Sequence, residues 1–411
     1  MDLVTYPFLF IALYFEAFLL LTFLSSPARE QRKNSTVIAT ATPKVAIIVP
    51  CWNEESTVAG TVESLLALDY PADKLSLVLV NDGSTDGTAA AIDRFATHPQ
   101  VTAIHKENGG KFTAMNLALE HVGDAEFVGF LDADSFVAPD ALREIVAGFT
   151  TGDTAAVTAS MSIHEPRTLL QRMQYAEYTF SIMLRHVFSS INGLYVTPGP
   201  FSFYRYAALK DLGPFKHAYL AEDMEMAMRI QRAGLKIGNA LRARVYTKGP
   251  ATLPKLIKQR TRWTTGFIRN LFFDYRDLIG GKKNAVLGIL VLPLGILAIG
   301  GGILLFVFEL SRLVEHGFHV ASVAQAAPLS YAFTIHSFTW FYLPITFLTV
   351  AGLLLATSNV VWMSLGKNLS KTPGSLTLNV VPYLFLYVFV APLWLITSVS
   401  HVALGTRTVW R

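Results

Sequence analysis

The sequence predicts an α/β domain inserted between membrane-spanning helices. Apolar residues make up 52% of the 411 positions and charged residues only 16%, whereas soluble domains usually carry about 25% charged residues. Long apolar runs lie towards both ends of the chain. Between them, short apolar strands alternate with helical patterns, which is typical of a sheet covered by helices.

The first apolar run, residues 7–24, is long enough to cross a bilayer, which needs roughly 17–25 residues. Basic residues such as Arg29 and Arg32 follow it and none precedes it, which argues against a cleaved signal peptide. We therefore predict a retained helix over residues 1–28 with its amino end outside. Glu16 lies in the middle of this run and faces either a water-filled path or a protein partner. The sequence leaves both open.

Three further apolar runs lie in a predicted carboxyl-terminal membrane region, residues 284–411. They cover residues 285–308, 338–357 and 376–398. Four crossings would place the carboxyl end outside, which conflicts mildly with the basic residues there. A re-entrant segment within residues 309–337 would remove the conflict, so the number of spans stays open.

The central domain is predicted over residues 43–250. Its apolar strands cover residues 45–50, 75–80 and 127–131. Fully apolar strands separated by helices indicate a buried, mostly parallel sheet. Asp82 follows the second strand, and Asp132 and Asp134 follow the third. Because ligands bind at the carboxyl ends of strands in open α/β sheets, we expect these acids at a binding edge.

Asp132 and Asp134 form an Asp-x-Asp pair that can approach one hard cation. Mg²⁺ or Mn²⁺ held by few protein ligands and a diphosphate is a common arrangement. Alone, such a pair also fits a solvated turn. The segment Asn81–Gly87, with its glycines and aspartates, likewise fits either a ligand site or a plain strand–turn–helix connection.

Three other segments carry groups suited to transfer chemistry. Lys111 ends a glycine-containing stretch that lacks the P-loop spacing, so it is either a phosphate contact or a surface lysine. Glu222 and Asp223 begin an amphipathic helix, where acids serve the helix dipole or one acts as a general base.

Gln259-Arg-Thr-Arg262-Trp263 lies in a basic, aromatic stretch that predicts interfacial amphipathic helices over residues 251–280. A helix lying on the membrane surface has the same composition. The functional alternative is an arginine beside a diphosphate and an indole stacked on a sugar ring.

The joint order of these motifs resembles processive family-2 glycosyltransferases, which include cellulose, chitin, hyaluronan and poly-N-acetylglucosamine synthases. The matching segments are Pro50-Cys-Trp-Asn-Glu54, Asn81-Asp82-Gly-Ser-Thr-Asp86, Asp132-x-Asp134, Glu222-Asp223 and Gln259-x-x-Arg262-Trp263. The resemblance covers residues 43–277. It implies a GT-A-type, Rossmann-like nucleotide-sugar domain.

The resemblance also implies donor-site roles. The positions that match donor-binding residues are Trp52, Glu54, Asp82, Lys111, Asp132 and Asp134. Trp52 and Glu54 would hold uridine, with Trp52 in place of the family's tyrosine. Lys111 would approach the diphosphate. Asp134, with Asp132 beside it, would bind Mg²⁺ or Mn²⁺.

On the acceptor side, Asp223 matches the catalytic base and Glu222 the acid before it. Ala221 replaces the threonine of the family's Thr-Glu-Asp motif. The segment Gly199-Pro200-Phe-Ser-Phe-Tyr-Arg205 resembles hyaluronan and chitin-oligomer synthases, which implies an N-acetylglucosamine-type donor. By the same resemblance, the diphosphate would contact Gln259 and Arg262, and the acceptor sugar would stack on Trp263.

The implied activity is an inverting hexosyltransferase that extends a β-linked polysaccharide from a UDP-sugar and exports it. It would lie in the plasma or inner membrane with its catalytic domain in the cytoplasm. The expected partners are the donor, the growing polysaccharide, membrane lipid and an accessory or export subunit. The net charge of +4 is too mild to indicate nucleic acid. A non-processive transferase acting on a lipid and a non-catalytic membrane protein are the alternatives.

Overall fold

The computed structural model describes residues 2–25, 42–281, 284–326 and 346–406. A mixed sheet of eight strands lies in the central part of the chain. One hydrophobic cluster covers each of its faces. The predicted basic flank containing Arg29 and Arg32 lies outside the described residues.

The sheet is parallel in its first half and mixed in its second. The strands are β1 (Val45–Cys51), β2 (Leu75–Asp82), β3 (Val101–Lys106), β4 (Phe127–Phe130), β5 (Ser135–Val137), β6 (Thr154–Ile163), β7 (Ser202–Arg205) and β8 (Lys236–Thr247). Their spatial order is β3-β2-β1-β4-β7-β6-β8-β5. β3, β2, β1 and β4 are parallel, whereas β7 is antiparallel to both β4 and β6.

The prediction of a mostly parallel sheet is therefore wrong for the second half. β7 begins beside the end of β4, where Ser202 pairs with Phe130. Since the chain enters β7 at the edge where β4 ends, the two strands must run in opposite directions. The segment before β7, which contains Gly199, therefore lies at the same edge as Asp132.

Helices surround the sheet and continue into both ends of the chain. They are α1 (Asp2–Ser25), α2 (Val58–Leu66), α3 (Thr88–Asp93), α4 (Lys111–Leu119), α5 (Ala141–Ala147), α6 (Leu169–Ser190), α7 (Tyr206–Leu212), α8 (Glu222–Ala233), α9 (Leu253–Arg269), α10 (Leu292–Ala326), α11 (Phe347–Ser370) and α12 (Thr377–Ala403). α9 continues into one wide, π-helical turn, Asn270–Asp274. A second π-helical turn, Val286–Val291, precedes α10.

β1 shows how the sequence pattern builds the core. Val45, Ile47 and Val49 pack into the cluster on one face, and Ala46 and Ile48 into the cluster on the other. Alternate side chains of a strand point to opposite faces. A strand with helices on both sides must therefore be apolar throughout.

Four helical segments of the described chain are long and apolar enough to cross a membrane. They are Thr5–Ser25, Val286–Ser322, Phe347–Ser370 and Thr377–Ala403. The second continues well beyond the expected end at residue 308, so residues 309–326 form no re-entrant break. Residues 327–345 lie outside the described residues. Beyond the apolar run, Arg312 Nη1 lies 3.5 Å from Glu309 Oε2 on the same helix.

The long α6 helix joins the domain to these apolar helices. The Tyr175 hydroxyl donates to the Pro373 carbonyl between α11 and α12 at 2.5 Å. α9 packs on α12, where the Ser398 hydroxyl donates to the Thr261 carbonyl at 3.4 Å. The helix that carries the Gln259–Trp263 motif is thus packed directly against a membrane-type helix.

Glu16 of α1 has protein partners. Its Oε2 accepts hydrogen bonds from Trp362 Nε1 at 2.7 Å and from the Ser358 hydroxyl, both in α11. Leu19 and Trp362 pack with Met183 of α6 in one cluster. Of the two alternatives for Glu16, the structure favours the protein partner.

Candidate active site

The loops after β1 and β2 interlock at the carboxyl edge of the sheet. The backbone amide of Asn53 donates to Ser84 Oγ at 3.0 Å, and the backbone amide of Thr85 donates to the Asn53 side-chain oxygen, Oδ1, at 2.8 Å. The next residue, Glu54, accepts a 2.6 Å hydrogen bond from Thr57. Burial raises the pKa of Glu54 despite that bond. Trp52, which begins this loop, is half-buried.

Asp82, at the end of β2, holds the loop that leads to Lys111. Its carboxylate accepts from Lys106 Nζ at 2.6 Å and from the amides of Gly109 and Gly110 at 3.0 Å each. The residue is only 3% exposed. Its carboxylate is thus already occupied by the protein, and it shapes the site by fixing the loop.

Lys111, the first residue of α4, lies between two acids, Asp132 and Glu222. Its Nζ lies 2.5 Å from Asp132 Oδ1 and 3.6 Å from Glu222 Oε1. Burial alone lowers the pKa of Lys111, but Asp132 and then Glu222 raise it. The lysine therefore stays charged between the two carboxylates.

Asp134 lies in an environment of concentrated negative charge. Burial, and then the charges of Asp132 and Glu54, raise the pKa of Asp134 to about 7. A divalent cation would relieve this repulsion. Among the residues that the structure describes, no group of three or more acidic, His or Cys side chains forms a complete metal site. Asp134 and Asp132 are the residues that could hold such a cation, with diphosphate and water oxygens completing its ligands.

Gly199 packs between the Lys111–Asp132 ion pair and Asp223. A Cβ at this position would lie 2.9 Å from Lys111 Nζ and 3.2 Å from Asp132 Oδ2. Its amide donates to Asp223 Oδ2 at 3.2 Å. Any larger residue would require the ends of the Lys111 and Asp132 side chains to shift. The half-buried Pro200 follows and leads into β7.

Asp223 lies in the first turn of α8. Burial and the charge of Glu222 raise its pKa to about 6, although Lys111 and Arg262 act in the opposite direction. A base with a pKa near the working pH accepts a proton effectively. The Thr197 hydroxyl donates to the Asp223 carbonyl at 2.8 Å and also bonds to the Tyr204 hydroxyl at 2.8 Å.

A left-handed turn precedes α8. Ala218, Tyr219 and Leu220 have φ angles of 42°, 56° and 65°. For residues with a Cβ, this conformation costs roughly 1–2 kcal/mol each. The carbonyl of Leu220 accepts a 3.2 Å hydrogen bond from Arg262 Nη1 in α9.

The Gln259–Trp263 motif lies on α9. Trp263 is half-buried against the sheet core, and the guanidinium of Arg260 lies 4.4 Å from its ring centroid. Arg260 is in turn held by Glu177 of α6 at 2.7 Å. Gln259 Oε1 is buried and accepts no hydrogen bond from the described residues.

The family model described as "Glycosyltransferase like family 2" matches residues 43–266 of this chain. The chain belongs to glycosyltransferase family 2. Poly-β-1,6-N-acetyl-D-glucosamine synthase from Staphylococcus epidermidis is 29% identical over 313 residues, covering 75% of this chain and 74% of that protein. The β-monoglucosyldiacylglycerol synthase of Synechocystis sp. is also 29% identical, over 57% of this chain and 49% of that protein.

The fold of this glycosyltransferase is GT-A-like. The mannosyltransferase PcManGT from Pyrobaculum calidifontis, solved with GDP-Man and Mn²⁺, superposes with a TM-score of 0.51. The two chains are 22% identical, and the match covers 92% of this chain and 99% of the other. The expected fold class is thereby confirmed.

The predicted site residues of the glycosyltransferase do not all meet. Contacts link Lys111, Asp132, Gly199, Glu222 and Asp223 into one cluster, and Glu54, Asp134 and Arg262 act on it through their charges. Within the described ranges, no hydrogen bond or ion pair joins Trp52, Asp82, Pro200, Gln259 or Trp263 to this cluster.

Sequence reasoning missed Lys106, Thr197 and Tyr204. Lys106 lies opposite Asp82 in the parallel register of β2 and β3, so a correct register would have found this ion pair. Thr197 and Tyr204 support Asp223 through its backbone carbonyl. No motif marks them, because a buried hydroxyl has no characteristic sequence pattern.

Proposed function

We propose that this glycosyltransferase transfers a sugar from a UDP-sugar, with inversion, to a growing β-linked polysaccharide. The observation that carries the proposal is the position of Asp223. It is a half-buried carboxylate whose Oδ2 accepts a 3.2 Å hydrogen bond from the Gly199 amide, beside the Lys111–Asp132 pair. A proton acceptor thus lies directly beside a charged donor pocket.

The donor pocket provides positive charge where the diphosphate would leave. Lys111 pairs with Asp132, and the charge of Arg262 acts on Asp223 nearby. Fixed charges that meet developing negative charge lower the barrier to departure. A divalent cation held by Asp134 and Asp132 would supply further neutralisation.

Asp223 then accepts the proton of the attacking hydroxyl of the acceptor. That oxygen forms the new bond to the anomeric carbon as the bond to the UDP oxygen breaks. A single displacement inverts the anomeric centre. The reaction needs no protein nucleophile. Cys51 is unsuited to that role because burial, and then Glu54, raise the pKa of its thiol.

The polymer product and the donor are supported by the relative named poly-β-1,6-N-acetyl-D-glucosamine synthase. We take UDP-N-acetylglucosamine or a related sugar as the donor. Trp263 on α9, which is half-buried, is suited to hold an acceptor sugar after each transfer through its indole face, with Gln259 one turn before it on the same helix. The four apolar helices fit a catalytic domain on the cytoplasmic side that exports its product.

The alternative is a single transfer to a lipid acceptor. It is favoured by the relative named β-monoglucosyldiacylglycerol synthase. The two functions differ in product length. A lipid-directed enzyme adds one sugar and needs no platform for a long saccharide.

The test is incubation of the purified protein with Mn²⁺ or Mg²⁺ and a panel of UDP-sugars. UDP release and product length are measured together. We expect long products from one preferred donor. In Asp223→Asn, UDP release should fall by about 10²–10⁴-fold. The exposed Asp211→Asn is the matched control.

Products limited to one added sugar would replace the polymerase proposal with the lipid alternative. Activity close to wild type in Asp223→Asn would remove the assigned base.

A further inference from the structure

We propose that Asn270 and Gly266 are positioning residues for Asp223, acting through the left-handed turn Ala218–Leu220. The inference rests on the proposed role of Asp223 as the base. It assigns a function to the contacts of Asn270 and Gly266 with the segment before α8, and neither residue belongs to a motif named in the sequence analysis.

The turn is a left-handed helical turn made without glycine. Ala218, Tyr219 and Leu220 all have positive φ. The Leu220 amide donates to the His217 carbonyl at 2.8 Å, and the Ala221 amide to the Ala218 carbonyl at 3.1 Å. Side chains with a Cβ disfavour this conformation. It persists only where surrounding contacts hold it in place.

α9 and the wide turn after it supply those contacts. Asn270 Nδ2 donates to the Ala218 carbonyl at 3.2 Å, and Arg262 Nη1 to the Leu220 carbonyl at 3.2 Å. The Arg269 guanidinium lies 5.6 Å from the ring centroid of Tyr219. Each residue of the turn is therefore contacted from the same helical segment.

Gly266 lets α9 come this close. A Cβ at Gly266 would lie 2.5 Å from the Cβ of Ala221. Ala221 itself is 4% exposed. Ala221, which replaces the family's threonine, therefore packs directly against Gly266 of α9. Neither position tolerates a larger side chain without separating the two segments.

The turn sets the direction in which α8 begins. Glu222 and Asp223 follow it after one residue, Ala221, and the Asp223 carboxylate accepts a hydrogen bond from the Gly199 amide. If the turn relaxed to ordinary backbone angles, the first turn of α8 would move with it. A misplacement of about 1 Å costs up to about a hundredfold in rate, so loss of the contact should reduce turnover.

The first test compares two substitutions at one position. Ala218→Val disfavours positive φ, and we expect kcat to fall about tenfold with little change in the KM of the donor. Ala218→Gly favours positive φ and should keep wild-type kcat.

The second test is rescue. Asn270→Leu removes the hydrogen bond to the turn and should lower kcat about tenfold. Adding Ala218→Gly should restore much of it, because glycine adopts the turn without support. The matched control is Lys371→Gly, which relieves another left-handed residue (φ 57°) at the end of α11. It should leave kcat unchanged and fail to rescue.

Wild-type kcat in a folded Ala218→Val variant, with Asp223→Asn inactive, would overturn this proposal alone. Rescue of Asn270→Leu by Lys371→Gly would also overturn it, since that would show a general stability effect. If Asn270→Leu does not fold, the comparison at Ala218 still decides. Full activity in Asp223→Asn would instead overturn the proposed base.

Discussion

Nζ of Lys111 lies 2.5 Å from Oδ1 of Asp132. The two residues belong to different segments, the start of α4 and the connection between β4 and β5 that contains the Asp-x-Asp pair. A Cβ at Gly199 would lie 2.9 Å from Lys111 Nζ and 3.2 Å from Asp132 Oδ2, so a side chain there would displace the ends of both residues. Lys111 also reaches Glu222, so one lysine joins the donor side of the cleft to the helix that carries the proposed base.

Lys111→Met should lower kcat/KM for the donor by about 10–100-fold, because it removes positive charge beside the diphosphate. Asp132→Asn should also lower it, and the double variant should be little worse than the poorer single one. Initial rates of UDP release measure this. The control is Lys44→Met, which breaks an exposed pair with Asp124 at the same 2.5 Å distance. Independent, additive losses at Lys111 and Asp132 would contradict the coupling.

The activity should fall on the acid side with an apparent pKa near 6. Asp223 must be deprotonated to accept a proton, and burial together with Glu222 raises its pKa to about 6. Below that pH, each unit should reduce kcat about tenfold. The pH profile of kcat, measured at saturating donor and metal, tests this. The residual kcat of Asp223→Asn should not show this fall at low pH. If that variant shows the same fall, the group that titrates near pH 6 is not Asp223.

Asp134→Asn should weaken activation by Mn²⁺. The substitution removes one of the two carboxylates suited to the cation, so the metal concentration for half-maximal rate should rise by about tenfold or more. Titration of UDP release with Mn²⁺ measures it. Asp140→Asn serves as the control, since Asp140 pairs with Arg244 on another part of the domain. Equal metal requirements in both variants would exclude Asp134 as a ligand.

Trp263→Ala should shorten the products more than it slows UDP release. Loss of an aromatic face removes about 0.5–1.5 kcal/mol of stacking on each bound sugar, so the chain should dissociate earlier. Chromatography or mass spectrometry of the products gives their length. Trp263→Phe should show a smaller change, because it keeps an aromatic ring. Wild-type product length in the alanine variant would argue against an acceptor platform on α9.

Glu16→Leu should lower thermal stability and leave the rate of UDP release per folded molecule unchanged. It removes hydrogen bonds from Trp362 and Ser358, which in a membrane are worth about 0.6–2 kcal/mol. Trp362→Phe should have a similar effect, and the two together should add little. Thermal denaturation in detergent tests this. Ser364→Ala is the control, as its hydroxyl bonds Val360 of its own helix. A loss of polymer export without lost stability would favour the path role instead.

Local patterns determined the elements of this protein. The apolar runs near Val45, Leu75 and Phe127 became β1, β2 and β4, because a strand between two layers of helices must be apolar on both faces. The ordered motifs from Pro50 to Trp263 identified glycosyltransferase family 2, which the family match bears out. These are properties of short segments, and a sequence states them directly.

Tertiary structure decided what joins those segments. It paired Asp82 with Lys106, reversed β7 against β4, and paired Glu16 with Trp362 across 346 positions. The left-handed turn before Asp223 shows the same limit. Its residues include no glycine, and it is contacted by Arg262 and Arg269 of α9 and by Asn270 after α9. Such contacts depend on register and packing between distant segments, and no local sequence pattern records them.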